Sequence, residues 1–143
     1  MSDVVELSDD VVRFLTEGRR IGKFGYTAAD GRPLIAPVWY VLDNGELLFN
    51  TGADSAKGRA IARDPRVVMC VDMEESPYGF VQVQGLAVTD EDLDECYRVA
   101  AACGARYAGA ERADEFGKRN AVPGWVVVRV RPTKIVSLFD ATA

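Results

Sequence analysis

Three strand-like runs, separated by two glycine turns and all placed before the first inserted helix, limit the fold of this chain most sharply. Ile21 to Ala28, Leu34 to Leu42 and Glu46 to Thr51 read as strands. Asp30-Gly31 and Asp43-Asn44-Gly45 lie between them, and such pairs supply the positive φ that a tight hairpin needs. Hairpins make antiparallel neighbours, whereas parallel strands need a crossover of about a dozen residues or more. The pattern therefore argues against alternating βαβ units.

The remaining elements fit the same plan. Ser8 caps a helix whose first turn holds Asp9 and Asp10 and which Gly18 stops. A short helix, capped by Ser55 or Asp54, runs to about Arg63 and ends at Asp64-Pro65. Val67 to Met73 is a fourth strand, so apolar that burial on both faces is expected. Phe80 to Thr89 is a fifth, with Phe80, Gln82 and Gln84 on one face and Val81, Val83 and Gly85 on the other. Asp90 to Tyr107 reads as a helix with Leu93, Tyr97, Ala100 and Gly104 along one stripe, and Glu111 to Asn120 as another. Gly124 to Arg131 and Lys134 to Phe139 are expected as two more strands joined by Pro132-Thr133. The expected architecture is mainly β: one domain over residues 1–143, an antiparallel barrel or strongly curved sheet with peripheral helices.

Composition narrows the chemistry. A net charge of −5 argues against a general nucleic-acid or anionic-membrane binder. No apolar run approaches the ~20 residues of a spanning helix. The N-terminus MSDVVELSDD lacks a basic region, so a cytoplasmic location is expected. Cys70, Cys96 and Cys103 are odd in number and show no CxxC spacing, which reads as reduced thiols in the core. The chain has no histidine. That removes Ser-His-Asp and Cys-His catalysis and His-ligated metals, and no metal site is expected. Carboxylates, Lys, Tyr, Ser or a cofactor must supply any catalysis.

The stretch NTGADSAKGRAIARDP is locally odd. It places Lys57 and Arg59 in the first turn of a helix, where backbone N–H groups already carry partial positive charge and a cation costs about 0.3–1 kcal/mol. Asn50 and Thr51 lead into Gly52, Ala53 and Ser55, whose small side chains allow close backbone approach. Such a terminus suits an anion. The residues alone leave two alternatives open: cations pointing into water, or an anion seat with Lys57 folding back over it and Arg59 in support. It is neither a Walker A loop nor a GxGxxG loop.

In APVWYVL, Pro37, Trp39 and Val41 share one face, and Ala36, Val38, Tyr40 and Leu42 the other. One face enters the core. The other offers an aromatic, narrow surface for a flat ring, although core packing also explains an aromatic strand. Pro37 removes a ladder donor and hints at an edge or an irregularity.

The order of these motifs (the DGRP turn, APVWYVLDNGELLFNT, SAKGRAIARDPRV, VQVQGLA) resembles the pyridoxamine-phosphate-oxidase-like split β-barrel flavoproteins. Within them it looks most like the actinobacterial branch that uses the deazaflavin coenzyme F420, over about Leu15 to Asp140. The resemblance implies a homodimer with two sites at the subunit interface. Ala36, Pro37, Val38 and Trp39 would lie along the cofactor ring. Asn50, Thr51, Ser55, Ala56 and Lys57 would hold its ribityl chain and phosphate, with Arg59 in support, and Tyr78-Gly79 would approach from the partner subunit. Two positions depart from the family's habit: Ser55 stands where a second basic residue is common, and Gly58-Arg59-Ala60 where an Asn is common. The implied function is an F420H2-dependent reductase acting on an unsaturated small molecule. FMN-dependent oxidoreduction and non-catalytic flavin or deazaflavin binding are the alternatives. No catalytic residue is assigned, because hydride transfer is the cofactor's chemistry. Solvent, or a hydroxyl such as Tyr40 or Tyr78, would supply a proton.

Overall fold

The computed structural model describes residues 4–143. Its first helix, α1 (Asp9–Thr16), starts as expected, with Ser8 Oγ accepting from the Val11 N–H at 3.2 Å. It buries Val11, Phe14 and Leu15. Strands β1 (Gly22–Thr27) and β2 (Pro33–Val38) pair antiparallel across the Asp30-Gly31 turn. There the single strand expected from Leu34 to Leu42 divides. β2 ends at Val38, and β3 (Val41–Asp43) restarts at the opposite edge of the sheet, whose order is β2-β1-β5-β6-β7-β4-β3. The crossing residue Tyr40 is fully buried, and its hydroxyl donates to the Leu15 carbonyl at 2.6 Å. Only Trp39 and Tyr40 separate the two edge strands, so the edges approach within about 11 Å there, three Cα steps. The sheet is thus rolled without closing: an antiparallel split barrel.

Strand β4 (Glu46–Gly52) pairs with β3 and β7, and helix α2 (Ala56–Arg63) then leads to β5 (Arg66–Asp72). β5 corrects the expectation of two buried faces. Val67, Met69 and Val71 are buried, whereas Val68 and Cys70 are half-buried on an outer face. Cys70 is therefore not a core thiol, while Cys96 and Cys103 are buried as expected. Burial pushes the Cys103 thiol up to about 12, so it stays protonated. β6 (Tyr78–Asp90) pairs along nearly its whole length with β7 (Trp125–Asp140). β7 replaces the two expected strands. Pro132 lies opposite Gly85, where the register shifts, so the proline sits at an irregularity that needs no ladder donor from it.

The two-residue period divides the sheet. Leu47 and Phe49 of β4 and Val126, Val128 and Val130 of β7 fill the barrel with Phe24, Met69 and Val83. Leu48 and Val127 face outward onto helix α3 (Leu93–Ala108), against Cys96, Val99 and Cys103. The buried stripe of α3 is Cys96, Val99, Ala100, Cys103 and Gly104, which keeps Ala100 and Gly104 of the expected one; Leu93 is 39% exposed and Tyr97 turns toward helix α4 (Ala113–Asn120). A tight turn, Ala110–Arg112, joins α3 to α4.

Charge pins α3 to the sheet. Glu95 pairs with Arg98 and Arg129, and Arg98 reaches Asp43 at 3.0 Å. The Arg98 guanidinium holds the Glu95 carboxyl down to about 2 from its usual 4.5, with Arg129 adding to the effect. A lowered folded-state pKa stabilises fully above the unfolded value, and that contribution fades as pH falls from about 4.5 toward 2. Glu95→Gln is expected to lower stability near neutrality by about 1–2 kcal/mol. The gap from the parent protein should narrow below pH 4.5 in urea unfolding; a gap constant with pH would refute the pairing. Among the described residues, no helix is long and apolar enough to cross a membrane.

Candidate anion and ring-binding site

Strand β4 delivers Asn50 and Thr51 to opposite faces, as the period demands. Thr51 points into the barrel, 4% exposed, with its Oγ1 3.0 Å from Ser55 Oγ. Asn50 points outward, and its Nδ2 donates to the Cys96 carbonyl at 3.1 Å. The two side chains therefore do not converge on one ligand atom; Thr51 acts on the site by holding Ser55.

Ser55 organises the turn. Its Oγ accepts from the Gly58 N–H at 3.0 Å and donates to the Gly52 carbonyl at 2.7 Å. Of the two caps the sequence offers, Ser55 and Asp54, Ser55 is the one that forms. The loop before it is tied to the start of β7 by the Ala53 N–H donating to the Gly124 carbonyl at 2.8 Å. The loop also lies flat against the helix: a Cβ on Gly58 would meet the Gly52 oxygen at 2.3 Å and the Ala53 oxygen at 2.5 Å. That contact explains why glycine stands at position 58. Ser55 and Gly58 leave the Ala56 and Lys57 N–H groups without a protein acceptor among the described residues. Lys57 is half-buried, Arg59 is exposed, and neither joins an ion pair among the described residues. Two free N–H donors at the start of a helix whose second residue carries an unpaired ammonium can hold a phosphate or carboxylate.

The strand expected to face a ring keeps its two faces. Ala36 and Val38 turn inward, while Ile35, 69% exposed, and Pro37 turn outward on an edge strand. Pro37 fits that edge. Trp39, also outward, does not lie open beside Pro37. It stacks on Tyr107 of α3, with ring centroids 5.2 Å apart and 12° between planes, and Phe116 of α4 tilts against it at 5.4 Å. Trp39 and Asn50 meet in one cavity under α3 and α4. Tyr78 and Gly79 lie elsewhere. Gly79 accepts from the Met73 N–H beyond the far end of β5, and α2 leads into the near end. Gly52 pairs with Trp125 at one end of β7 and Tyr78 with Asp140 at the other, so the two loops lie apart within one chain. Tyr78 is 53% exposed.

The outer face of β2, β1, β5 and β6 carries no helix of this chain among the described residues. It shows Ile35, Cys70, Gln82 and Gln84, with Lys23 held by Asp72 at 2.5 Å. The sequence reading missed Phe116, Arg119, Asn120 and Trp125, which line the cavity with Trp39 and Asn50. Trp125 is one of only two tryptophans, and that scarcity was the available signal.

A rolled antiparallel sheet left open between its edge strands defines the split-barrel class of protein. Residues 9–139 match the family model of pyridoxamine 5'-phosphate oxidase, and the chain belongs to that family, whose members bind flavins or related cofactors. A conserved hypothetical protein from Mycobacterium tuberculosis superposes with a TM-score of 0.81 at 24% identity, over 99% of this chain and 89% of its own. An F420 reductase superposes with a TM-score of 0.68 at 26% identity, over 87% of this chain and 94% of its own. The heme storage protein of Vibrio cholerae gives 0.71 at 17% identity, over 97% of this chain and all of its own (100%). The first and third likenesses show the fold alone. No curated protein matches the sequence.

Proposed function

We propose that this protein is an F420H2-dependent reductase that delivers hydride to an electron-poor C=C or C=N bond of a small molecule. One observation carries the proposal: the start of α2 offers two uncommitted N–H groups and an unpaired, half-buried Lys57 within a family that binds flavins or related cofactors. The likeness to an F420 reductase at 26% identity favours the deazaflavin over FMN. When bound, the cofactor supplies the hydride.

The chain's own residues bind and orient. The Ala56 and Lys57 N–H groups and the Lys57 ammonium hold the phosphate, with Arg59 adding charge from the surface, while Ser55, whose N–H and hydroxyl both donate to the Gly52 carbonyl, shapes the turn. Thr51 fixes the Ser55 hydroxyl. The backbone of Ala36 to Trp39 lies along the ring, whereas Asn50, turned outward onto α3, borders a separate cavity. Tyr40 is no proton donor, since its hydroxyl is buried and committed to the Leu15 carbonyl, and burial raises its pKa. Tyr78, exposed and remote within one chain, reaches the site from a second copy in a homodimer. The helix-free sheet face is the surface that copy covers.

Lys57→Ala is expected to weaken cofactor binding by about 1.5–3 kcal/mol, the range for a hydrogen bond to a charged group. Arg59→Ala should weaken it less. Fluorescence quenching measures both, and unchanged affinity in Lys57→Ala would mark Lys57 as a solvated surface cation. Oxidation of F420H2 by a cyclic enone, followed by absorbance, tests the reaction. Tight binding without turnover across a broad acceptor panel would instead indicate a carrier.

A further inference from the structure

We propose that the cavity between the barrel and the α3–α4 pair is a binding pocket for a small planar aromatic acid. Its volume is about 270 Å³, and its working residues are Trp39, Asn50, Phe116, Arg119, Asn120 and Trp125. Drug-sized ligands need pockets of about 300 Å³ or more, so one or two rings is the limit here.

The space is not a packing defect. Protein interiors hold few voids larger than a water molecule. The two helices beside the cavity touch so closely that a Cβ on Gly104 would meet Phe116 at 2.7 Å, and one on Gly117 would meet Tyr97 at 2.5 Å. Loose helix packing therefore does not create it. Three aromatic side chains from three separate segments border it: Trp39 at the β2–β3 crossing, Phe116 on α4 and Trp125 at the start of β7. Trp39 is held by Tyr107 and Phe116 yet stays 39% exposed, so its indole is preorganised and reachable.

The polar groups define the ligand's ends. The Cys96 carbonyl fixes the Asn50 amide through Nδ2, which leaves Oδ1 to accept. Among the described residues, no buried side-chain polar atom lacks a partner, so this unpaired Oδ1 is accessible. It suits an O–H or N–H donor on the ligand. Arg119 stands over the Phe116 ring at 4.4 Å and shares one carboxylate, Glu115, with Arg112. Lys118 is neutralised separately by Asp114. Glu111 offsets Arg112, so the cation at the rim is Arg119 itself, which spends only its Nη2 on Glu115 and keeps the rest of its guanidinium free beside the Asn120 amide. A ring with a hydroxyl at one end and a carboxylate at the other satisfies both ends.

Both tryptophans of the protein line the pocket, so intrinsic fluorescence reports on it directly. The test titrates the purified full chain with 4-hydroxybenzoate, using 4-hydroxybenzamide as the neutral counterpart. The expected result is saturable, sub-millimolar binding at one site per chain, with the acid roughly tenfold tighter than the amide, as a charge-assisted contact requires. Arg119→Glu should abolish the preference for the acid. Because Arg119 is exposed, the variant should keep the fold and its affinity for F420 or FMN. No saturable fluorescence change, or an acid preference intact in Arg119→Glu, would overturn the assignment. Cofactor affinity is a separate readout, so failure of the reductase proposal and failure of this one are distinguishable.

Discussion

Gly58→Ala is expected to destabilise the protein by roughly 3 kcal/mol, the upper part of the usual range for overpacking, and to abolish measurable cofactor binding. The added methyl would meet two backbone carbonyl oxygens, of Gly52 and Ala53, at 2.3 and 2.5 Å. Neither is the flexible end of a side chain. Relief requires the loop to lift from α2, which breaks the Gly58 N–H bond to Ser55 Oγ and disperses the free N–H groups at the start of α2. Urea unfolding and a cofactor titration on one preparation measure both effects. Near-parental stability with intact binding would mean that the loop does not lie against the helix as described.

Arg106→Ala should also be costly, by about 3 kcal/mol, since hydrogen bonds to a charged group contribute about 1.5–3 kcal/mol each and do not add fully. The guanidinium donates to the carbonyls of Leu15, Gly18 and Tyr40, and it stacks on the Tyr40 and Tyr107 rings. It thereby joins the end of α1, the edge-to-edge crossing of the sheet and α3. The Leu15 carbonyl keeps the Tyr40 hydroxyl when Arg106 is lost, whereas the other two carbonyls lose this donor. Arg106→Lys should recover part of the loss, because an ammonium lacks the planar fork that spans several acceptors. A midpoint shift in urea equivalent to less than about 1 kcal/mol would show the three contacts to be dispensable.

What the sequence disclosed follows from the range of each signal. Hairpin turns and helix caps act within four residues, and Ser8, Asp30-Gly31, Asp43-Asn44-Gly45 and Ser55 announced them correctly. The division of Leu34 to Leu42 was hidden because side-chain alternation runs on through it. Val38 and Tyr40 both turn inward while the backbone passes from one sheet edge to the other. The Pro132-Thr133 link imitated a turn, because a proline at a strand irregularity and a proline in a loop look alike in sequence. β5 looked buried on both faces because its outer residues Val68 and Cys70 are apolar, yet among the described residues no helix of this chain covers them.

The candidate site was legible to the same extent. The Ser55 cap, the small residues of the loop and the two basic residues are local facts. That Asn50 and Thr51 diverge followed from strand geometry, but the binding of Asn50 to Cys96 joins residues 46 positions apart. The aromatic cavity brings Trp39 beside Arg119, a juxtaposition that only the roll of the sheet and the α3–α4 pair create.

Titrating the purified protein with F420 and, separately, with FMN tests the central claim most directly. The account predicts saturable quenching of F420 fluorescence, weaker binding of FMN, and loss of F420 affinity in Lys57→Ala. Sub-micromolar FMN binding with no binding of F420 would contradict it.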